Sequence, residues 1–402
     1  MSPLDSYRSL FGLTGPAYVL IAFVARLPLA MGQLGTLLLV AGATGSYGAG
    51  GAAAGSLAIA NAVGAPVWGA WADRFGQRRV VAVQSLAGAA GLATLLAIVH
   101  SPLPWVWSAV ASALAGLFLP QIGPLARVRW RPITERTGRP QPRLVETAFS
   151  YEGAADEASF VLGPALIGLG VSLASPTVAL AAAALVLATF GTWFALHDTA
   201  ALTHAVTRRT TAAAGRLLTG ALTLLCASQF VIGTVFGSVQ TGTTVLATSA
   251  GSPGLTGYFH ALLGVGSVVA GLGMAALPPT WPLPARLGWF AVALLLLAVP
   301  LLIVDSLAAL VPVLLVLGVS IAPYMITTFT VGERVTPRSR TGAAMTLLAA
   351  ATGLGYAVGA AVAGRLADWG GHTPAFAVTV AAGAFAVVLS WAGRGVLARA
   401  LS

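Results

Sequence analysis

The feature that most constrains this chain is a series of about twelve apolar stretches, separated by short clusters of Pro, Gly, Arg and Ser. A helix of about 20 apolar residues is long enough to cross the hydrocarbon core of a bilayer. The stretches lie at residues 14–40, 48–71, 80–99, 104–126, 148–171, 177–196, 217–246, 254–277, 288–304, 309–331, 342–364 and 374–393. They fill most of the 402 residues, so the sequence predicts an all-α membrane protein of twelve transmembrane helices without a large extramembrane domain.

The composition excludes a water-soluble protein of this size. Hydrophobic residues make up 57% of the chain and charged residues only 8%, whereas a soluble domain carries about 25% charged residues. So few polar groups cannot cover a folded surface, and we expect lipid to cover it. The first stretch is longer than the core of a signal peptide and is expected to be retained.

The basic residues indicate how the helices are oriented. All 21 of them are arginines. If the N-terminus is cytoplasmic, only Arg26 and Arg365 fall outside cytoplasmic loops and tails, which is a strong positive-inside asymmetry. We therefore expect both termini in the cytoplasm. Because this charge is spread over many short loops, we expect no binding of nucleic acid.

The chain divides into two similar halves. Residues 197–215 form the longest polar stretch between the two sets of six apolar stretches, so we predict bundles at 1–196 and 216–402 with a cytoplasmic linker between them. Small residues recur across this linker: Gly55, Gly64 and Gly69 recur as Gly257, Gly266 and Gly271, and Ser159, Gly163 and Gly168 recur as Gly355, Gly359 and Gly364. Such residues allow helices to approach closely in lipid. The nearly equal offsets predict a parallel repeat of two six-helix bundles.

A motif rich in glycine and arginine follows the second stretch, in the segment Gly69-Ala-Trp-Ala-Asp73-Arg74-Phe-Gly76-Gln-Arg78-Arg79. It resembles the Gly-x-x-x-Asp-Arg-x-Gly-x-Arg-Arg signature of the major facilitator superfamily at every fixed position. The resemblance implies a fold of twelve helices, alternating access between two bundles, and a cytoplasmic latch in this loop. Asp73 has the chemistry to accept hydrogen bonds from arginines or from backbone N–H groups at a helix N-terminus. The alternative is that the arginines only fix the topology.

The fifth stretch carries a partial version of a second family motif. The segment from Ser159 through Gly163 and Pro164 to Gly168 resembles the superfamily's antiporter motif, with Ser159 and Ile167 at positions where glycine is usual. The resemblance implies export, and the alternative is a proline-kinked packing face. The arginine that family exporters often carry in the fourth span, in Arg-x-x-Gln-Gly, is absent ahead of Gln121.

Ionisable groups inside the predicted spans are candidates for function because a charge in lipid is costly. Arg26 in the first span and Glu152, Asp156 and Glu157 in the fifth lie at matching depths, and Glu152 and Asp156 share a helix face. We predict that Arg26 pairs with at least one acid and that the surplus carboxylate carries a proton. The alternatives are a static ion pair and direct contact between Arg26 and substrate. We expect no comparable charge within the spans of the second half.

Superfamily sites are usually lined by spans 1, 4, 7 and 10, which supplies the candidates for the substrate cavity. By this analogy they are Arg26, Gln33, Gln121, Gln229, Gln240, Tyr324 and Met325. For each of these residues the alternative is a hydrogen bond between helices.

Together these features predict a transporter rather than an enzyme, with no cofactor. The chain has no lysine and hence no phosphate-binding Gly-x-x-x-x-Gly-Lys loop, so an ion gradient is expected to supply the energy. We expect proton-coupled export of small apolar or amphipathic compounds by a monomer, and the alternatives are transport of a sugar or amino acid and a lipid flippase. Heavy use of Ala, Gly and Arg is typical of a GC-rich genome, so a bacterial cytoplasmic membrane is the expected location.

Overall fold

The computed structural model describes residues 3–45, 47–135, 141–203, 217–252 and 255–401. Within these residues the chain is helical, and twelve helical segments are long and apolar enough to cross a membrane. We number these segments as spans 1 to 12. The predicted linker lies outside the described residues from residue 204 onward.

The spans consist of long helices, two of which are interrupted. Span 1 comprises the helices Pro3–Val24 and Leu27–Thr44, and span 4 comprises Val106–Phe118 and Ile122–Thr134. The other spans are Tyr47–Phe75, Gln77–Val99, Gln141–Leu173, Pro176–Leu196, Gly220–Ser249, Thr256–Gly273 with a short extension to Ala276, Leu283–Ala298 with a turn to Ile303, Leu307–Val335, Thr341–Gly370 and His372–Ala392. A short C-terminal helix, Arg394–Leu401, follows span 12.

Prolines cause both interruptions. Pro28 has no N–H to donate to the carbonyl of Val24, and the first helix of span 1 ends at that residue. Pro120 likewise leaves the carbonyl of Gly116 without its helical donor, and span 4 breaks between Phe118 and Ile122. Each interruption places the neighbouring residues at a junction between two half-helices.

Equivalent helix contacts confirm the parallel repeat. Gly64 of span 2 packs against Leu117 of span 4, and Gly266 of span 8 packs in the same way against Leu315 of span 10. In both places a side chain on the glycine would collide with the backbone of its neighbour. The glycines therefore occupy the same structural position in each bundle.

A second set of contacts repeats between spans 1 and 5 and spans 7 and 11. Gly163 of span 5 packs against Ala30 of span 1, and Gly359 of span 11 packs against Thr234 of span 7. Gly168 and Gly364, the last members of the two triplets, both face open space. For Gly163 and Gly168 the crowded and the open position thus match those of Gly359 and Gly364 in the second half.

The apolar cores of the two bundles differ. In the second bundle the buried apolar residues form one continuous cluster. In the first bundle they form two clusters, one around Trp130 and Phe194 and the other around Leu57 and Leu92. The division falls at Arg26, because Ala25 belongs to one cluster and Leu27 to the other. A polar layer therefore crosses the first bundle only.

The two bundles are joined at the end of the molecule that carries both chain termini, which we call the termini end. Spans 2 and 11 cross there, and spans 5 and 8 pack together. Further along, Gly50 of span 2 packs against Ala41 of span 1, and Gly359 of span 11 packs against span 7, so these spans return to their own bundles. The ion pairs described between the bundles lie at the termini end, as detailed below.

Candidate functional site

The polar layer of the first bundle is a network of two arginines and two acids. The Arg26 Nε donates to Asp156 Oδ1 at 3.0 Å, and Arg26 Nη2 pairs with Glu152 Oε2. Arg127 Nη1 contacts Asp156 Oδ2 at 2.7 Å. The indole Nε1 of Trp130 donates to Glu152 Oε1 at 2.5 Å. The network balances two positive charges with two negative ones, which is what allows it to be buried.

The three predicted acids differ in how accessible they are. The Glu152 side chain is fully buried, whereas that of Asp156 is 19% exposed. Glu157 is 5% exposed, and within the described part of the chain no ion pair involves it. Its carboxylate lies beside the Ser267 hydroxyl of span 8. The predicted pairing of Arg26 is therefore present, and Glu157 is the surplus acid.

Arg127 is the main residue that sequence reasoning misplaced. Hydropathy ended the fourth span at residue 126 and put Arg127 and Arg129 in a loop, but the helix continues to Thr134 and buries both side chains. The Arg127 guanidinium lies over the Phe329 ring of span 10, 4.3 Å from its centroid. Within the described residues its Nε and Nη2 have no hydrogen-bond partner. Span 4 therefore does carry a buried arginine, contrary to the sequence-based conclusion that it has none, and this arginine follows Gln121 instead of preceding it.

Side-chain amides form hydrogen bonds at the junction between the two helices of span 4. Asn61 of span 2 donates to the carbonyls of Gly116 at 3.0 Å and Leu119 at 2.8 Å, of which the first is the carbonyl released by Pro120. The Gln121 Nε2 in turn donates to Asn61 Oδ1 at 2.6 Å. Gln121 is half-buried and is held by this contact.

Gly123 is the second residue of the helix Ile122–Thr134 in span 4, and it packs against the Asp156 side chain. A Cβ at this position would overlap the Asp156 carboxylate. The carboxylate therefore sits at the N-terminal end of the helix Ile122–Thr134, where the helix dipole favours a negative charge. Only glycine leaves room for Asp156 to reach Arg26 and Arg127 together.

Gly123→Ala is expected to lower the free energy of unfolding by about 1–3 kcal/mol, because the methyl group displaces a paired buried carboxylate. Thermal unfolding of the purified protein in detergent measures the effect. Gly168→Ala is the matched control, since nothing lies within 4 Å of that position, and it should leave the midpoint unchanged. Equal midpoints for the two variants would show that Gly123 does not constrain Asp156.

The loop motif between spans 2 and 3 contacts the opposite bundle through Asp73. Asp73 Oδ1 accepts from the backbone N–H of Gly342 at 3.0 Å, and Oδ2 accepts from that of Ala343 at 2.9 Å. These are the first free N–H groups of the helix Thr341–Gly370. Gly69, one turn earlier, packs so closely against Thr346 that a side chain would collide with it.

The other motif residues do not join the bundles. Gly76 has a φ of 89° and forms the turn between spans 2 and 3. Arg74 lies over the ring of Phe75 at 5.1 Å, and Arg78 and Arg79 are exposed. Their positions at the termini end agree with a topogenic role.

Several ion pairs also link the bundles at the termini end. They are Arg131 with Glu333 at 2.6 Å, Arg334 with Glu146 at 2.7 Å, and Arg338 with Glu135 at 3.1 Å. The expectation that the second half has no charge within its spans is wrong, because Glu333 lies in the last turns of span 10 and is only 6% exposed. Its charge is balanced by Arg131 of the first bundle, which hydropathy alone does not reveal.

Three of the second-bundle residues predicted to line the substrate cavity pack inside that bundle instead. Gln229 and Tyr324 are fully buried and Met325 is 6% exposed. Gln229 accepts from Thr352 at 3.2 Å, and Tyr324 contacts Ser390 at 3.2 Å. In this conformation none of the three reaches an open surface.

Gln33 and Gln240 are the more accessible candidates. Gln33 is exposed and follows Arg26 by seven residues, so it lies on the same helix face two turns further from the termini end. Gln240 is half-buried and accepts from Tyr356 Oη at 2.6 Å. Gln33 is therefore the most exposed of the predicted cavity residues, while Gln240 is tied to span 11 of its own bundle.

The partial antiporter motif forms a packing face. Gly163 holds span 5 against Ala30 of span 1, while Pro164 lies within the continuous helix Gln141–Leu173. Gly168 has no neighbour within 4 Å. The motif's closest contact is therefore with the span that carries Arg26.

No protein-family profile matches the chain, and no curated protein shows significant sequence similarity to it. Solved structures do match over nearly its whole length. They include the human organic anion transporter MFSD10, with 19% identity, a TM-score of 0.67 and coverage of 95% of this chain and 97% of that one. A bacterial homologue of the iron transporter ferroportin in its outward-facing state matches with 16% identity, a TM-score of 0.69 and coverage of 93% and 98%.

The proton:xylose symporter XylE, described as a major facilitator superfamily protein, matches with 13% identity, a TM-score of 0.68 and coverage of 95% of each chain. These structures align with nearly the whole chain at TM-scores of 0.67 to 0.69, although at most 19% of the residues are identical. The chain therefore has the fold of the major facilitator superfamily.

Proposed function

We propose that this protein is a secondary transporter that works by alternating access between its two bundles and couples transport to protons. The observation that carries the proposal is the balanced network of Arg26, Arg127, Glu152 and Asp156 in the first bundle, next to the interruptions of spans 1 and 4. Interrupted helices and buried charges mark the binding sites of many secondary transporters. The proton:xylose symporter among the similar structures supports proton coupling on this fold.

We propose that Asp156 carries the exchanged proton, rather than Glu157, the surplus acid to which the sequence assigned it. Asp156 is the most exposed of the three acids, with 19% of its side chain exposed against 5% for Glu157, whereas Glu152 is sealed inside the bundle. When Asp156 binds a proton, it loses its charge-assisted contacts to Arg26 and Arg127. Because Arg127 packs on Phe329 of span 10, a change at Asp156 is transmitted to the boundary between the bundles.

The closed termini end supports an outward-open conformation. The positive-inside asymmetry puts this end in the cytoplasm, and Asp73 and the ion pairs of Glu146 and Glu333 hold it shut. Alternating access then requires these contacts to break together when the opposite end closes. We propose that they form the cytoplasmic gate of a monomeric transporter.

We propose export of small apolar or amphipathic compounds as the direction and substrate class. The low charge of the chain, with 8% charged residues, and the resemblance of the segment from Ser159 to Gly168 to the antiporter motif support it, even though Gly163 also packs against span 1. Transport of a polar metabolite is the second candidate, favoured by the exposed amide of Gln33 and the half-buried amide of Gln240.

Purified protein in liposomes that contain a pH-sensitive dye tests the proposal. A panel of hydrophobic drugs, sugars and amino acids is added, and we expect a hydrophobic compound to drive proton movement opposite to its own. Empty liposomes are the control. Substrate movement without proton movement would contradict coupling, and proton movement in the same direction as a sugar or amino acid would favour the second candidate.

A further inference from the structure

A cavity of about 410 Å³ lies at the termini end of the second bundle, away from the charge network. It is bounded by the start of span 9, the end of span 10 and the C-terminal helix. Its lining residues are Pro282, Leu283, Pro284, Arg334, Arg394, Ala398 and Leu401. The cavity thus combines two guanidinium groups with an apolar wall.

The charge around this cavity is positive. Arg286 lies beside Arg334, and both face Glu146 of the first bundle, at 3.8 Å and 2.7 Å. Arg394 is exposed, and in the described part of the chain no ion pair involves it. Arg286 is 3% exposed, and its Nε has no hydrogen-bond partner among the described residues. Two arginines therefore share one carboxylate and Arg394 adds a third positive charge, which leaves capacity for a further anion.

The surroundings are those of a membrane interface. Trp289 and Trp391 form an edge-to-face pair, with ring centroids 5.8 Å apart, and both are exposed. The Arg394 guanidinium lies 5.5 Å from the Trp391 ring centroid. Exposed tryptophans are typical of the level of lipid headgroups, and anionic headgroups bind basic pockets between helices on the cytoplasmic side.

We propose that this cavity binds the phosphodiester headgroup of an anionic membrane lipid. The phosphate pairs with Arg334 and Arg394, and the glycerol and upper acyl chains cover the exposed Pro282 and Ala398 and the half-buried Leu401. A free phosphate ion would satisfy the arginines but leave the apolar wall uncovered, and this favours a lipid over a soluble anion.

Because of the position of Arg334, a lipid bound in this cavity is expected to weaken a contact of the cytoplasmic gate. Arg334 both lines the cavity and pairs with Glu146 across the bundles. A phosphate that takes part of its hydrogen-bonding capacity weakens the pair with Glu146. Bound lipid is therefore expected to favour opening of the termini end. This effect rests on the proposed alternating access, whereas the binding site does not.

Native mass spectrometry of the full chain in detergent tests the binding site. Phosphatidylglycerol is expected to remain bound in preference to phosphatidylcholine, and Arg394→Gln should reduce bound phosphatidylglycerol about fivefold. Arg399→Gln is the matched control, because Arg399 lies on the same helix but does not line the cavity. Equal retention of the two lipids, or no loss in the Arg394 variant, would overturn the proposal.

Two further experiments test whether the bound phosphate belongs to a lipid and whether the lipid changes the distance between the bundles. If excess inorganic phosphate displaces phosphatidylglycerol completely, the site binds soluble anions and the lipid proposal is wrong. Spin labels at the termini ends of spans 3 and 12, in a Cys226→Ser background, then report the distance between the bundles in vesicles. We expect phosphatidylglycerol to lengthen it relative to phosphatidylcholine, and Arg394→Gln to remove the difference. Lipid binding without transport would contradict only the proposed function.

Discussion

Asp156→Asn is expected to abolish proton-coupled transport and any dependence of residual transport on pH. Among the described residues Asp156 is the only one whose carboxylate touches both Arg26 and Arg127, and its removal leaves a positive charge uncompensated in the first bundle. Removing one partner of a buried ion pair costs about 3–5 kcal/mol. Transport in liposomes at several pH values and thermal unfolding in detergent measure the two effects.

The loss of stability has to be separated from the loss of coupling. The double variant Asp156→Asn with Arg127→Gln removes one charge of each sign and leaves Arg26 paired with Glu152. We expect it to recover most of the unfolding free energy while transport stays independent of pH. A double variant that folds and still responds to pH would exclude Asp156 as the proton site and favour Glu152 or Glu157.

Asp73→Asn is expected to shift the protein toward the conformation opened at the termini end by about tenfold. The carboxylate accepts two hydrogen bonds from the start of span 11, and an amide retains only one oxygen. Hydrogen bonds to a charged group contribute about 1.5–3 kcal/mol each, and 1.4 kcal/mol corresponds to a factor of ten in an equilibrium. We also expect slower transport, because the outward-open state is less populated.

Distances between spin labels on the two bundles at the termini end measure this shift. Arg78→Gln is the control, since Arg78 belongs to the same motif but is exposed. It should leave both the distance distribution and the transport rate unchanged. Well-folded Asp73→Asn protein with the distances and turnover of the wild type would rule out a latch at this position.

The sequence was sufficient to predict the fold and the pairing of Arg26 with span 5. Apolar length predicts the spans, and the glycine triplets predict the repeat, because close helix contacts require small residues at fixed positions. Matching depth predicts that Arg26 meets at least one of Glu152, Asp156 and Glu157, since two helices that run in the same direction keep their residues level; the structure identifies Glu152 and Asp156 as its partners.

Arg127 and Glu333 could not be predicted in the same way. Hydropathy ends a span where charges begin, but charges that are paired across helices can remain buried. Arg127 is paired with Asp156, and Glu333 with Arg131 of the other bundle. A signal for Arg127 was available, because Gly123 lies one turn before it on the same helix face.

The rotation of a helix about its axis limited the prediction of the cavity. The positions of spans 7 and 10 along the sequence were predicted correctly. However, Gln229 and Tyr324 face the interior of their own bundle. The repeat explains the case of Gln229. Thr352 follows Asp156 by 196 residues, the offset that relates spans 5 and 11, so its contact with Gln229 is the neutral counterpart of the contact between Asp156 and Arg26.

The divided core of the first bundle has a consequence for how the chain is synthesised and inserted. Arg26 leaves the ribosome 126 residues before Glu152 and 130 before Asp156, which corresponds to about 6–26 s of synthesis. During that interval span 1 carries an uncompensated charge and cannot settle at its final depth. The two apolar clusters of the first bundle can pack on either side of Arg26 only after span 5 has entered the membrane. The second bundle, with its continuous apolar core, has no such waiting step and can pack as each helix arrives.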